Sequence, residues 1–433
     1  MGRQPFGLAS PAAWLRERGV AVDCADLSKE RLNEDVVRTA DVVGFFLPMH
    51  TATRLALPVI DRVRTLNPGA RLIAYGLYAQ LNGPLLRGRG VSDILGGEFE
   101  DDLVRLVLGE PRHLADARIP RLAFRVPDRA GLLPLSKYAS LQIGGERIVA
   151  GYTEASRGCK HLCRHCPIVP VYNGRFRVVP PDVVLADVRA QVAAGARHIT
   201  FGDPDFFNGI RHARTVVDAF GREFAGITYD VTIKVEHLLR HADTLPLLRD
   251  TGCAFVTSAV EAVDDRILLK LDKGHTREDF ERVVTLFEDV RLTLAPTFVA
   301  FTPWTSLEGY ANLLQTIDRL ALVEHVSPIQ LAIRLLIPDG SRLLELEDVR
   351  SVTRGFDPVS LTHRWVHSDR RVDALQERLA SLVGVRLTAD REAVFSEAWR
   401  AAHEAAGIAA PARRTAPVIP RATVPYLNEP WYC

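Results

Sequence analysis

The sequence carries no excess charge of either sign: 54 Lys and Arg stand against 53 Asp and Glu, leaving +1 at pH 7. No general field therefore draws the chain onto nucleic acid or an anionic membrane. Apolar runs are short, none approaching the roughly 20 residues that span a bilayer. The opening MGRQPFGLASPAAWL lacks the basic, apolar and small-residue regions of a secretory signal. These absences point to a cytoplasmic protein with neither membrane nor nucleic acid as partner. Cysteine is scarce, six in 433 residues, and three of the six fall within eight positions. That clustering suits metal binding in a reducing compartment better than a disulfide framework. Internal repeats and low-complexity tracts are missing as well.

What is present is the material of an ordinary globular protein. The length suggests roughly two to four domains, and 47% hydrophobic residues can build a core in each. The first hundred residues alternate strand-like and helix-like segments, the pattern of a parallel sheet with crossover helices. Ser10 and Pro11 read as the N-cap and first position of a helix stopped by Gly19. Strands are expected at 20–27, 41–47, 71–75 and 91–95, with a helix over 51–66. A sheet of this kind should open with a strand, so an upstream segment beyond Met1 is expected. A proline-rich stretch, 110–134, reads as a linker.

A second series of strands and helices begins at 147. Strands are expected at 147–152, 198–202, 228–235, 254–260, 291–299 and 329–336. Helices are expected between them at 181–194, 210–220, 242–250 and 277–288. Six such units make a partial (βα)6 TIM-like barrel, whose chemistry sits at the C-terminal ends of its strands. Beyond 346 the chain turns helical and charged, with helices at 371–382 and 390–406, and its prolines make 409–433 an extended tail. The expected organisation is 1–112 for the small α/β domain, 113–145 for the linker, 146–345 for the barrel, 346–408 for the helical region and 409–433 for the tail.

Cys159-Lys160-His161-Leu162-Cys163-Arg164-His165-Cys166 has C-x3-C-x2-C spacing, directly after an expected strand. Three thiolates on so short a loop can each take one iron of a [4Fe-4S] cubane, leaving the fourth iron without a protein ligand. The competing reading is a structural zinc site in which His161 or His165 supplies a fourth ligand. Zinc sites usually draw their ligands from two separated turns, whereas this single loop opens a six-unit series.

The loop resembles the signature of the radical S-adenosylmethionine (SAM) superfamily, and residues 151–344 resemble its barrel. The resemblance implies an enzyme in which SAM docks on the open iron and is cleaved reductively. The resulting 5'-deoxyadenosyl radical would drive hydrogen abstraction, methyl transfer or another SAM-derived group transfer. An electron donor such as flavodoxin or ferredoxin is implied as a partner. Phe201-Gly202-Asp203-Pro204-Asp205-Phe206 occupies the place where the family's backbone turn meets the SAM amino group, which makes Gly202 and Asp203 candidate contacts; Asp203 could equally cap the turn. The segment from Cys253 to Glu261, followed by Lys270-Leu271-Asp272-Lys273-Gly274-His275-Thr276, is similar to the fourth-strand pattern whose Glu approaches the SAM ribose. Glu261 matches that position, with Ala259 and Ala262 where the family more often has Gly and Ser, and Ser258 lies on the same strand. Arg334, a cation inside the apolar stretch Ala332 to Leu336, must meet a carboxylate from SAM, from substrate or from a neighbouring strand. The alternative to catalysis is a non-catalytic iron-sulfur or zinc module that binds a partner or carries electrons.

A small α/β domain ahead of such a barrel resembles the cobalamin-binding domain of the B12-dependent branch. The stretch from Asp41 to His50, Tyr75-Gly76 and Gly96-Gly97-Glu98 fall where that branch surrounds the corrin. None of the 13 histidines has Asp two residues before it, so the Asp-x-His-x-x-Gly cobalt-ligand motif is absent. The domain then either binds cobalamin without a protein ligand to cobalt or serves packing and substrate recognition alone. The end, Asn428-Glu429-Pro430-Trp431-Tyr432-Cys433, resembles radical SAM proteins with a Cys-Cys-Ala-Glu-Pro or Cys-selenocysteine-Ala-Glu-Pro tail. Stopping at the first Cys, it suggests a selenocysteine codon read as a stop, with Cys433 as a candidate tail thiol.

Overall fold

The computed structural model describes residues 2–112, 119, 121–143, 145–384 and 390–413. Near the N-terminus, β1 (Val42–Phe46), β2 (Arg71–Tyr75) and β3 (Asp93–Leu95) form a three-stranded parallel sheet in the order β1-β2-β3. Strand periodicity of two sends alternate β2 residues to opposite faces. Leu72 and Ala74 meet Leu57, Ile60 and Val63 of helix His50–Leu66. Ile73 and Tyr75 meet Phe99, Leu103 and Leu106 at helix Glu100–Val107. Both faces are thus covered, as a parallel sheet requires.

Two expectations here are corrected. Residues 20–27 form no strand, since no neighbouring strand pairs with them; instead Asn33 caps an unforeseen helix, Glu34–Thr39, by accepting from Asp35 and Val36 N–H groups. The first helix begins at Phe6, not Pro11, and runs to Glu17 with Pro11 inside it. Ser10 is not its cap: its hydroxyl donates to Glu100 Oε1 at 2.6 Å.

The barrel sheet contains β4 (Ser140–Ile143) and β5 (Glu146–Thr153), followed by the small hairpin β6 (Ser156–Gly158) and β7 (Phe176–Val178) that brackets the cysteine loop. It continues through β8 (His198–Phe201), β9 (Thr228–Thr232), β10 (Cys253–Glu261) and β11 (Thr293–Phe298). The spatial order is β11-β10-β9-β8-β5-β4, parallel except for the antiparallel β4. The sheet curls, because Leu141 of β4 packs with Phe255 of β10 and Ala295 of β11 across its inside. The connecting helices start on recognisable signals, with Pro181 at the first turn of Pro181–Ala193 and a Thr276–Asp279 capping box on Arg277–Val290.

The sixth strand, expected at 329–336, is reduced to a short 3-10 turn, Pro328–Leu331, and one parallel bridge between Phe301 and Arg334. The strand expected at 228–235 stops at Thr232, where the chain turns into helix Val235–Arg240. After the barrel come a hairpin, β12 (Thr353–Asp357) with β13 (Thr362–Trp365), and helices Arg370–Gly384 and Arg391–Ala406. These two helices share the barrel's main hydrophobic core through Leu375, Leu379, Phe395 and Trp399. No described helix is long and apolar enough to cross a membrane. Trp431, Tyr432 and Cys433 lie outside the described residues.

Candidate functional site

The cysteine loop leaves β6 at Gly158, whose φ of +74° is a left-handed conformation. A Cβ there would lie 2.3 Å from Tyr172 Cδ1 and 2.6 Å from Arg175 O, so only glycine allows this exit. Asn208 then fixes the first ligand position: its Oδ1 accepts from Lys160 N–H at 3.2 Å and lies 3.7 Å from Cys159 Sγ, while Nδ2 donates to Gly158 O. Farther along, Arg164 donates to the carbonyls of Leu269 and Lys270, and Arg342 to that of Leu162. The loop is therefore held at both ends by the barrel.

Cys163 is buried, and Cys159 and Cys166 are half-buried. Burial pushes the Cys159 thiol up to about 11. It pushes Cys166 to about 12, with Cys163 and Cys159 adding to the rise and Lys273 opposing it. Thiolates crowded in this way need a cationic centre, and three soft sulfur donors on one loop fit the irons of a cluster. The two zinc-ligand candidates are engaged elsewhere: His165 Nε2 lies 3.1 Å from Glu261 Oε1, and His161 lies against His237, Asp205 and Lys234. Among the described residues the three sulfurs do not gather within 4.8 Å of one another. One zinc with bonds of about 2.3 Å would hold them roughly 3.8 Å apart.

Glu261 is brought to this loop. Ser258 and Glu261 are three apart, a spacing that a regular strand would divide between its faces. A register shift between Ala259 and Glu261, with φ of +70° at Glu261, re-aims the carboxylate. It meets Lys273 Nζ at 3.3 Å as well as His165. Burial alone would raise its carboxyl, yet Lys273 and His165 hold it at about 2. Ser258 Oγ is fully buried with no hydrogen-bond partner, an orphan suited to a ligand's polar group.

The other candidates are used by the fold. Asp203 accepts from Ala155 N–H at 2.9 Å and from Ser156 Oγ at 2.5 Å, tying β8 to the start of the loop, and burial raises its carboxyl to about 7. Gly202 donates its N–H to Thr153 O, and its missing Cβ makes room for the Tyr152 hydroxyl. Arg334 pairs with Asp373 at 2.8 Å, donates to Trp365 O and stacks 3.5 Å from the centre of the Trp365 ring. Its partner carboxylate thus comes from the C-terminal helix Arg370–Gly384. Asn208, Lys234 and His237 were not foreseen. The only signal was the charge interleaved with apolar residues in Ile233-Lys234-Val235-Glu236-His237.

At the strand-end edge of the small sheet, His50 is buried with Nε2 2.5 Å from Ser360 O. A Cβ at Gly97 would lie 3.4 Å from Val171, and one at Gly340 3.7 Å from Leu81.

The model of the radical SAM superfamily matches residues 153–301. Among curated proteins, the ribosomal protein uS12 methylthiotransferase RimO of Desulfosudis oleivorans is 30% identical over 157 residues, 32% of this chain and 32% of its own length. The tRNA-2-methylthio-N(6)-dimethylallyladenosine synthase of Chlorobium limicola is 26% identical over 164 residues, 36% of each chain. The chain thus spans about a third of the length of these curated relatives. Among solved structures, the cobalamin-dependent SAM radical enzyme OxsB with aqua-cobalamin bound superposes with a TM-score of 0.70 at 13% identity, over 93% of this chain and 69% of that one. The radical SAM methyltransferase TsrM from Kitasatospora setae gives 0.56 at 18% identity, over 73% and 69%. At these identities the likeness is one of fold.

Proposed function

We propose that the chain, whose residues 153–301 match the radical SAM superfamily model, is a radical SAM enzyme holding a [4Fe-4S] cluster on Cys159, Cys163 and Cys166. The observation that carries this reading is three thiols on one braced loop at the barrel mouth, with His161 and His165, the neighbouring donors on that loop, engaged elsewhere among the described residues. When bound, the cluster supplies the electron that cleaves SAM reductively.

The chain's own residues prepare that site. Lys273 is buried and faces Cys163 and Cys166 electrostatically, so its ammonium offsets negative charge on the loop. Glu261 keeps Lys273 charged and orients His165, and it is the carboxylate nearest in kind to a ribose acceptor. The orphan Ser258 hydroxyl is a second contact for SAM. Gly202 and Asp203 act on SAM through the backbone turn they shape, and Arg334 braces the barrel's sixth position. The reaction is radical modification or transfer of a SAM-derived group, methyl transfer included, on an unidentified substrate, with flavodoxin or ferredoxin as electron donor. The small domain either binds cobalamin without a protein ligand to cobalt or serves packing and substrate recognition, and no step is routed through cobalamin.

Anaerobic reconstitution should load about four irons per chain, and reduction with SAM should release 5'-deoxyadenosine or a related cleavage fragment. Cys163→Ala should abolish both. Fragment release by that variant, or a tightly held zinc without SAM turnover, overturns the reading and favours a non-catalytic metal module.

A further inference from the structure

Beside the cysteine loop lies a second set of ligand-type side chains that the proposed reaction does not use. His161 comes from the loop, Asp205 from the turn after β8 and His237 from helix Val235–Arg240 after β9. Among the described residues these are the one group of three His, Cys, Asp or Glu side chains whose ligand atoms all lie within 4.8 Å of one another. His161 Nε2 is 3.3 Å from His237 Nε2 and 3.5 Å from Asp205 Oδ2. One ion with bonds of about 2.0 to 2.1 Å in tetrahedral geometry sets its ligands about 3.3 to 3.4 Å apart.

Burial supplies the second argument. The Asp205 and His237 side chains are 2% and 0% exposed. Asp205 Oδ1 accepts from Phe207 N–H, but Oδ2 has no hydrogen-bond partner, nor has His237 Nδ1, although the two atoms approach to 2.6 Å. His237 presents Nε2, 3.3 Å from His161 Nε2, to an ion, while its Nδ1 lies against the buried Asp205 carboxylate, whose Oδ2 is also 3.5 Å from His161 Nε2.

We propose that His161, Asp205 and His237 bind one divalent cation of the zinc or iron(II) class, separate from the iron-sulfur cluster. Two imidazoles and a carboxylate are the donor set for such borderline ions, and three protein ligands leave at least one position for water or a substrate heteroatom. Lys234 Nζ lies 3.1 Å from His161 Nδ1 but also 3.2 Å from Glu236 Oε2. Glu236 can take over the ammonium once His161 carries its proton on Nδ1. The ion would tether the cysteine loop to the ends of two barrel strands, with three ligands from three separate segments.

The site is independent of whether the thiols carry a cluster, so its test leaves that question aside. The probe is cobalt(II) alone, added to the full-length chain with Cys159, Cys163 and Cys166 all replaced by alanine. One equivalent should bind with visible d–d absorption and no thiolate charge-transfer band, and zinc should displace it. Adding His237→Ala should weaken binding at least tenfold, with Asp205→Asn acting in the same direction. Binding that is absent, or unchanged by His237→Ala, overturns the proposal and leaves the three side chains as a proton-linked chain to Lys234. Should the triple-alanine variant lack a cooperative melt, elemental analysis of the reconstituted wild-type protein after growth in zinc decides. One zinc beyond the cluster iron, lost in His237→Ala, supports the site, and no zinc overturns it.

Discussion

Glu98 is a carboxylate that its surroundings prefer neutral. Burial raises it from 4.5 to about 7, with Glu100 adding to the rise, although Arg157 opposes and Tyr172 donates a hydrogen bond at 3.0 Å. An unfolded glutamate releases its proton near 4.5, whereas the folded one keeps it to about 7. Between those values the folded state binds more protons, so stability falls as pH rises through the window and levels off above it. The loss is on the order of 1–3 kcal/mol. Glu98→Gln keeps the shape, since its amide can donate to the Tyr172 oxygen while its carbonyl accepts from Arg157. The variant should therefore melt several degrees above the parent at pH 8 and match it at pH 5. Equal melting temperatures at both values would show that Glu98 is ionised without cost.

Among the elements, the cysteine loop depends on how β6 hands the chain to Cys159. Gly158→Ala puts a methyl into Tyr172 and the Arg175 carbonyl, and the left-handed backbone adds about 1–2 kcal/mol. Gly145 has a similar φ of +82° with nothing near its missing Cβ, so Gly145→Ala incurs the backbone cost alone. Iron content after reconstitution should fall several-fold in Gly158→Ala and stay at the parent level in Gly145→Ala. The contrast also marks what was legible in the sequence. The cysteine cluster is local, readable from three residue types in eight positions, and helix Arg277–Val290 carries its own capping signal. The sixth strand was misread because Arg334 is drawn to Asp373 and Trp365, contacts made across 39 and 31 residues of chain. His237 and Lys234 were missed for the same reason: they reach His161 across 76 and 73 residues, and no local period encodes such a meeting. The bulge that turns Glu261 likewise depends on β11 beside it.

At the scale of the whole molecule, one side chain joins the small sheet to the barrel. Arg157, two residues before the first loop cysteine, pairs with Glu98 at 3.4 Å and Glu100 at 2.7 Å from the small domain, and with Glu154 at 2.8 Å from the barrel. Its guanidinium also lies over the rings of Phe6, Phe99 and Phe124. Surface ion pairs contribute little, but this guanidinium is 8% exposed and the Glu98 and Glu100 side chains are 0% exposed. Arg157→Met keeps much of the apolar contact and removes the cation, leaving buried carboxylates unpaired at a cost of about 3–5 kcal/mol. Calorimetry should show the unfolding of the small domain moving several degrees lower, and an unchanged trace would remove Arg157 as the junction. The same logic fixes the double variant. With the cation gone, Glu98 is a larger liability, so Glu98→Gln should recover more stability in the Arg157→Met background than in the parent at pH 8. Strictly additive effects would mean that the two side chains act separately.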